Sequence, residues 1–383
     1  MKIGIFSDTY KPQINGIVTS IALMDKKLRE HGHETHIFTI AFPTDEPIDD
    51  PPHVFRVPSV RFYGNSEHRV GLLYSPSAVR KARQLGIELI HSHAPFSMGL
   101  FGHITARRLR IPEIHTYHTM LEDYGHYLRA SRLPHRRIAR NYSRVFCNLV
   151  DGIIVPTEKV RDALIRYGVR PPIHILPTGI ELSTFSAPVA KAARQMVRQE
   201  FELQPEDRML LTVGRLAPEK SIETLLRFHK SLVARNPRWR LVIIGSGDHQ
   251  PSLEQEAAHL KISQYVRFAG RRSYESLPVY YQAADAFVTA STSETQGLVV
   301  LEAMASGLVV VAADDPSYYS MISHGQTGFL FDTESEYIEC LETILTSTET
   351  AKAVIQRGKA KAEEFSGETF YKRLLSIYQT VTR

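Results

Sequence analysis

The chain of 383 residues is 43% hydrophobic, enough apolar material for substantial cores, and at about 100–200 residues per domain its length predicts two domains, excluding a single small module. Lys and Arg total 46 against 41 Asp and Glu, with 24 against 17 in residues 1–185 and 22 against 24 in residues 186–383, so an anionic partner is expected for the first half, whether membrane surface, nucleic acid or acidic substrate. The two cysteines, Cys147 and Cys340, lie far apart and indicate neither a disulfide framework nor a zinc site, which fits a reducing cytosol.

The N-terminus, MKIGIFSDTY, reaches Asp8 after one short apolar run, too soon for the core of a signal peptide, so no export is expected. KIGIFS reads as a strand, followed by a helix over residues 17–31, then HETHIFTI and further units through ELIHSH and EIHTYH to GIIVPT. Such alternation predicts an α/β domain with a parallel sheet wrapped by helices. In IHILPTGIELSTFSAP, Pro177, Gly179 and Pro188 interrupt the periodicity, marking a linker with a boundary near residue 186. MLLTVG, a helix over residues 221–236, RLVIIGSG, VRFAG, AFVTAS, LVVVAA and GFLF then repeat the pattern over residues 186–365.

Residues 297–313 are the most membrane-like stretch but carry Glu302 near the middle. A central carboxylate costs about 2.5–3.5 kcal/mol on insertion scales, so the stretch reads as a buried helix followed by a buried strand. In residues 366–383, Phe370, Leu374, Leu375, Ile377 and Tyr378 fall at helical spacing, predicting a terminal helix that returns to the first domain. No low-complexity tract or solenoid repeat occurs.

Ligands of parallel α/β sheets bind beyond the carboxyl ends of the strands, which makes the residues after each apolar run the candidates. After the first strand, Gly16 allows backbone amides to approach a phosphate or sugar. In VGRLAPEK, Arg215 and Lys220 flank Pro218 and are suited to clamping a diphosphate. Lys220 near a helix start opposes the macrodipole, and a bound anion explains it better than helix stability does. In SETQGLVVLEAMASG, Glu294 ends a strand-to-loop turn and Glu302 lies within the next apolar helix, where an ionised carboxylate needs a partner. A ribose diol offers Glu302 two donors, Glu294 is placed for sugar hydroxyls, and the amides of Gly297, Leu298 and Val299 start the helix where phosphate is favoured.

Gly16, VGRLAPEK and the E-x7-E pair together resemble the retaining glycosyltransferases of the GT-B fold, family 4, over nearly the whole chain. HTYHTMLEDYGHY, SETQGL and AADDPSYYSMI look more narrowly like the diacylglycerol glucosyltransferases of bacteria. Where the wider family often has a glycine pair followed by Pro-Glu, this chain has Asp314-Asp315-Pro316-Ser317, as in the lipid branch. The resemblance implies two Rossmann-like lobes facing across a cleft. It further implies phosphate contacts from Gly16, Arg215 and Lys220, a sugar contact from Glu294, a ribose contact from Glu302, and His118 at the reacting centre. A front-face reaction follows, in which the leaving phosphate takes the acceptor's proton. His115 is expected inside the fold, and Glu122 and Asp123 are candidates either for an acceptor base or for stabilising a helix start.

The function expected on this basis is retaining transfer of glucose from UDP-glucose, bound as substrate with no cofactor, to diacylglycerol at the cytosolic membrane face. The alternatives are a phosphoinositide, glucosylated-lipid or soluble-sugar acceptor, a sugar-nucleotide epimerase, or a silent nucleotide-sugar binder. GSGDHQ at 245–250 lacks the last glycine of a dinucleotide fingerprint. Asp49-Asp50 and Asp314-Asp315 have no converging His or Cys, so solvated loops and no metal are expected. No nucleic-acid motif is present. Arg136, Arg140 and Arg144 recur every four residues after Pro134, beside Arg137 and with Leu133, Ile138, Tyr142 and Val145 as apolar neighbours. That pattern predicts a basic amphipathic helix at an anionic membrane surface, each contact worth on the order of 1 kcal/mol.

Overall fold

Runs such as KIGIFS and MLLTV are apolar on both faces, as is characteristic of strands in parallel sheets covered by helices on both sides. The computed structural model describes residues 1–13, 15–42, 48–61, 69–71, 75–122 and 135–382. It divides into two units, Met1–Gly179 with Gly367–Arg383, and Ile180–Ser366.

The first unit contains strands β1 (Lys2–Ser7), β2 (Glu34–Ile40), β3 (Val54–Val57), β4 (Ser59–Arg61), β5 (Arg69–Gly71), β6 (Leu89–Ser92), β7 (Glu113–Thr116), β8 (Gly152–Val155) and β9 (Ile173–Ile175). Its helices are α1 (Gly16–Glu30), α2 (Pro76–Leu85), α3 (Ser97–Leu109), α4 (His135–Cys147) and α5 (Glu158–Tyr167). The described residues form a parallel sheet in the order β3-β2-β1-β6-β7-β8-β9, with β4 and β5 as a separate antiparallel ribbon. Helix α1 begins at Gly16 because the Asn15 side chain accepts the Val18 N–H at 3.0 Å and caps it.

The second unit runs through α6 (Leu182–Ser186), α7 (Lys191–Glu200), β10 (Arg208–Val213), α8 (Ile222–Arg235), β11 (Trp239–Ile244), α9 (Gln250–His259) and β12 (Val266–Gly270). It continues with α10 (Leu277–Ala283), β13 (Ala286–Thr289), α11 (Leu298–Ala305), β14 (Val309–Ala313), β15 (Phe329–Phe331), α12 (Glu334–Thr346) and α13 (Thr348–Glu363). Its parallel sheet has the order β12-β11-β10-β13-β14-β15. Residues 297–313 are a buried helix, a turn at Gly307 with φ +82°, and a buried strand. No helix among the described residues is long and apolar enough to cross a membrane.

The chain enters the second unit before residue 186. Ile180 is fully buried in the same core as Phe185, and its N–H donates to the Phe365 carbonyl at 2.9 Å. The segment expected as linker therefore contains α6, because its apolar residues have a core to enter although its prolines and glycine interrupt the local pattern. After Ser366 the chain returns to the first unit as α14 (Gly367–Val381). Phe370, Leu374 and Tyr378 join Ile21, Met24 and Leu28 of α1 in one core, and the Tyr378 hydroxyl is 2.7 Å from Nδ1 of His91.

Strand order reverses between β1 and β6 in the first sheet and between β10 and β13 in the second. The loops leaving those strands part from one another there, and this is where an α/β sheet can receive a ligand. Leu374 is 1% exposed, so Leu374→Ala should destabilise the first unit by about 2–5 kcal/mol through lost burial and a residual cavity. Urea unfolding monitored in that unit should show the lower midpoint, with the second unit's transition unmoved.

Candidate active site

In the second unit the loops after β10 and β13 bring both charged motifs together. The loop after β10 forms a single 3-10 turn, Pro218–Lys220, and Ser221, at φ +52°, precedes α8. Lys220 thus lies in that turn and not in the first turn of an α-helix. Its ammonium contacts Glu294 Oε1 at 2.5 Å, and Arg215 pairs with Glu219 at 2.5 Å. The Ser293 hydroxyl donates to the Glu219 carbonyl at 2.8 Å, joining the two loops a second time.

Gly297 sits at φ +81° at the start of α11, and a Cβ there would lie 2.7 Å from a ring carbon of Tyr318. Only glycine meets both conditions without strain. Tyr318 is 1% exposed and donates its hydroxyl to the Ser291 carbonyl at 2.9 Å, so it buttresses the loop from below. Gly297 provides no side-chain cap, and the first-turn amides of α11, including those of Leu298 and Val299, are oriented as at other helix N-termini that favour anions.

Glu302, one turn further along α11, is 4% exposed. Its partner is the Tyr281 hydroxyl of α10, donating at 2.8 Å. A hydroxyl compensates burial less than a cation would, and desolvation pushes the carboxyl up to about 7 against the opposing hydrogen bond. The partner required by the sequence is therefore a neutral donor, which leaves the group close to changing charge at physiological pH.

In the first unit, Asp8 follows β1. It accepts from the Ser97 hydroxyl and, at 3.1 Å, from the Met98 N–H at the start of α3, while burial raises its pKa to about 6. Gly16 is the exposed first residue of α1. His118 follows β7, and its Nε2 lies 2.9 Å from Nδ1 of His93, which follows β6. Desolvation lowers His118 to about 4 and holds His93 well below the ordinary histidine value. His115 is fully buried, against Ser92 and the Phe146 ring, the interior position expected of it.

Other acidic candidates have structural partners. Glu122 pairs with Arg140, whose guanidinium also lies 5.9 Å from the Tyr167 ring centre, so Glu122 anchors α4 and Arg140 is drawn to it. Asp123, Leu133 and Pro134 lie outside the described residues. The expectation of solvated aspartate loops is corrected in two places. Asp50 holds Arg56 through contacts of 2.5 and 2.9 Å, and Asp315, 7% exposed, closes its own turn by accepting from the Ser317 N–H and hydroxyl at 2.9 and 2.6 Å. Asp49 and Asp314 are exposed.

Asp8, His93, Tyr281, Ser293 and Tyr318 escaped the reading of the sequence. Asp8 and His93 could have been found, since each directly follows an apolar run. Ser293 and Tyr318 lie within the SETQGL and AADDPSYYSMI stretches, where their roles depend on contacts with other elements, and Tyr281 lies on a helix that no local pattern marks.

On the outer side of α4, Ile138, Tyr142 and Val145 are exposed by 46%, 38% and 58%. At about 100° per residue they fall within about 60° of one another, with Arg137 and Arg144 on the adjoining flank. Arg136, Arg137 and Arg144 are exposed and make no ion pair among the described residues. An adjoining groove of about 650 Å³ is lined by Arg144, Val145, Asn148, Arg170 and Pro171.

The family model for group 1 glycosyl transferases matches residues 193–361, and that for Glycosyltransferase Family 4 matches residues 14–184. An alpha-monoglucosyldiacylglycerol synthase of Streptococcus pneumoniae is 35% identical over 382 residues, covering 99% of this chain and 85% of that protein. The enzyme of the same name from Acholeplasma laidlawii is 30% identical over 389 residues, with 99% and 96% covered. The solved structure of Anabaena HepE in complex with UDP-glucose has a TM-score of 0.79 at 18% identity, covering 99% of this chain and 100% of that one, a likeness of fold.

Glu302 also yields a test of the site's electrostatics. A carboxyl raised from about 4.5 to about 7 in the folded protein favours folding fully below pH 4.5, and this contribution is lost as pH rises through about 7. The loss amounts to about 3 kcal/mol. Urea unfolding of the second unit at pH 4.5 and 7.5 should show a smaller decline for Glu302→Gln than for the parent, and equal declines would contradict the raised value.

Proposed function

The chain belongs to glycosyltransferase family 4, the retaining nucleotide-sugar-dependent hexosyltransferases of the GT-B fold, and we propose that it transfers glucose from UDP-glucose to the free hydroxyl of diacylglycerol, forming an α-glucosyl lipid at the inner face of the cell membrane. The observation that carries the donor half is the gathering of Arg215, Lys220, Glu294 and the first turn of α11 at the strand-order reversal of the second sheet. Full-length similarity to two alpha-monoglucosyldiacylglycerol synthases supports the acceptor.

Cleaving a sugar from a nucleotide diphosphate places charge on the leaving oxygen. Arg215, Lys220 and the α11 amides supply fixed positive potential for it, so the proposed reaction proceeds without a divalent metal. In the free protein Glu219 and Glu294 hold the two cations in position. Donor phosphates compete for those cations, which releases Glu294 toward the hydroxyls of the transferred sugar. Glu302 receives the ribose diol, and Gly16 lets the start of α1 approach phosphate. His118 lies at the reacting centre, and the leaving phosphate takes the acceptor's proton.

With radiolabelled UDP-glucose and diacylglycerol, thin-layer separation should show a single glucosyl lipid, formed equally in EDTA. Arg215→Ala or Lys220→Ala should lower kcat/KM by about 10- to 1000-fold, and Glu294→Gln should nearly abolish turnover with the fold intact. Labelling of a phosphoinositide or a soluble sugar in place of diacylglycerol would overturn the acceptor, and epimerised donor without acceptor would overturn transfer.

A lipid acceptor requires a membrane contact, and the outer face of α4 suits one, since its apolar row can enter the interface while Arg137 and Arg144 on the adjoining flank meet anionic headgroups, with Arg136, exposed at the helix start, adding to the local positive charge. Arg140 is left out of this set because it holds Glu122. Changing Arg136, Arg137 and Arg144 together to Ser should reduce sedimentation with anionic liposomes and transfer to membrane-embedded diacylglycerol, with donor affinity nearly unchanged. High salt should act in the same direction, because exposed charges are screened within about 8–10 Å at 0.1–0.15 M. Unchanged liposome binding would remove α4 as the membrane contact.

A further inference from the structure

Strands β6 and β7 pair in parallel with Ser92 opposite His115, and the stretches HSH and HTYH place His91, His93, His115 and His118 at adjoining strand ends. His91 is fully satisfied, with Nδ1 2.7 Å from the Tyr378 hydroxyl and Nε2 2.6 Å from Oγ1 of Thr116. Its ring lies 4.2 Å from that of His93. The His93 N–H donates to the Phe6 carbonyl of β1 at 2.9 Å, which fixes the backbone under the ring. His93 is 2% exposed, with Nδ1 on Nε2 of His118 at 2.9 Å and Nε2 buried without a partner among the described residues.

A neutral imidazole carries one N–H and one lone pair, and burial keeps both rings neutral. One of the two must donate in the bond between them. If His118 donated from Nε2, His93 would bear its own proton on its Nε2, an N–H enclosed with no acceptor. If His93 donates from Nδ1, its buried Nε2 is a bare lone pair. An orphaned buried donor is the rarer and costlier defect. We infer that His93 is a positioning residue that donates its Nδ1–H to Nε2 of His118 and so holds His118 neutral and protonated at Nδ1.

The consequence for the reaction rests on the proposed role of His118. With its Nε2 lone pair occupied by the His93 proton, His118 has no site left to accept a proton and serves the transfer as a hydrogen-bond donor. The acceptor hydroxyl then needs another base, which is the role proposed for the leaving phosphate.

The test uses the free, full-length protein labelled with 15N-histidine. Long-range nitrogen–proton correlation spectra distinguish the two tautomers, and His118 is identified by the signals missing from His118→Asn. The expected result is a protonated Nδ1 and an unprotonated Nε2 on His118. His93→Asn, whose amide nitrogen can donate from near the Nδ1 position, should keep that pattern and most of kcat. His93→Leu should mix the tautomers and lower kcat by about 10- to 100-fold, with donor KM little changed. A parent spectrum with His118 protonated at Nε2 overturns the inference, as does a folded His93→Leu protein with His118 still wholly Nδ1-protonated. The parent spectrum decides even if the leucine variant does not fold. Absence of glucosyl lipid beside the expected spectrum would refute the proposed function and leave the tautomer assignment standing.

Discussion

Neighbouring strands that send their crossovers to opposite faces of a parallel sheet leave a gap between their outgoing loops, and each sheet of this protein has one such place. Charged side chains can converge there without crossing the apolar layers, because the backbone on either side is already satisfied by the sheet ladder. In the second unit the gap between β10 and β13 receives the 3-10 turn with Lys220 and the loop with Glu294. In the first unit the gap between β1 and β6 receives Asp8 and His93. Chemistry collects where the sheet topology permits polar groups.

The electrostatics of these sites depend on how completely water is removed. Glu294 and Glu219 are offered cations, whereas Glu302 and Asp8 are offered hydroxyl or amide hydrogens. Desolvation acts on each of the latter two with no cation to oppose it, so their pKa values rise to about 7 and about 6. In the proposed donor site, ribose hydroxyls would supply Glu302 with the hydrogen-bond donors that burial has taken away.

Packing at a distance supports the same loops. Tyr318 occupies the space that a side chain at residue 297 would need, so the bend at Gly297 and the direction of α11 are decided together. In the first unit, α14 completes the core against α1 and delivers the Tyr378 hydroxyl to His91, the ring next to His93. The last helix of the chain thereby reaches the strand ends where His118 lies.

Much of this was legible in the residues themselves. Alternating apolar runs and helical periods gave both parallel sheets, because an inward-facing run needs no knowledge of its neighbour to be recognised. The spacing of Glu294 and Glu302, the Arg215 and Lys220 pair, and the mixed basic and apolar pattern of α4 are likewise local and could be read directly. The tertiary structure alone decided which groups pair. It turned Arg140 toward Glu122, gave Glu302 a tyrosine hydroxyl as its partner, drew the expected linker at Ile180 into a core, and set His93 against His118. Periodicity along a chain reports which face of an element is buried. The partner a buried polar group finds depends on strand order and helix packing, which bring together residues far apart in the sequence.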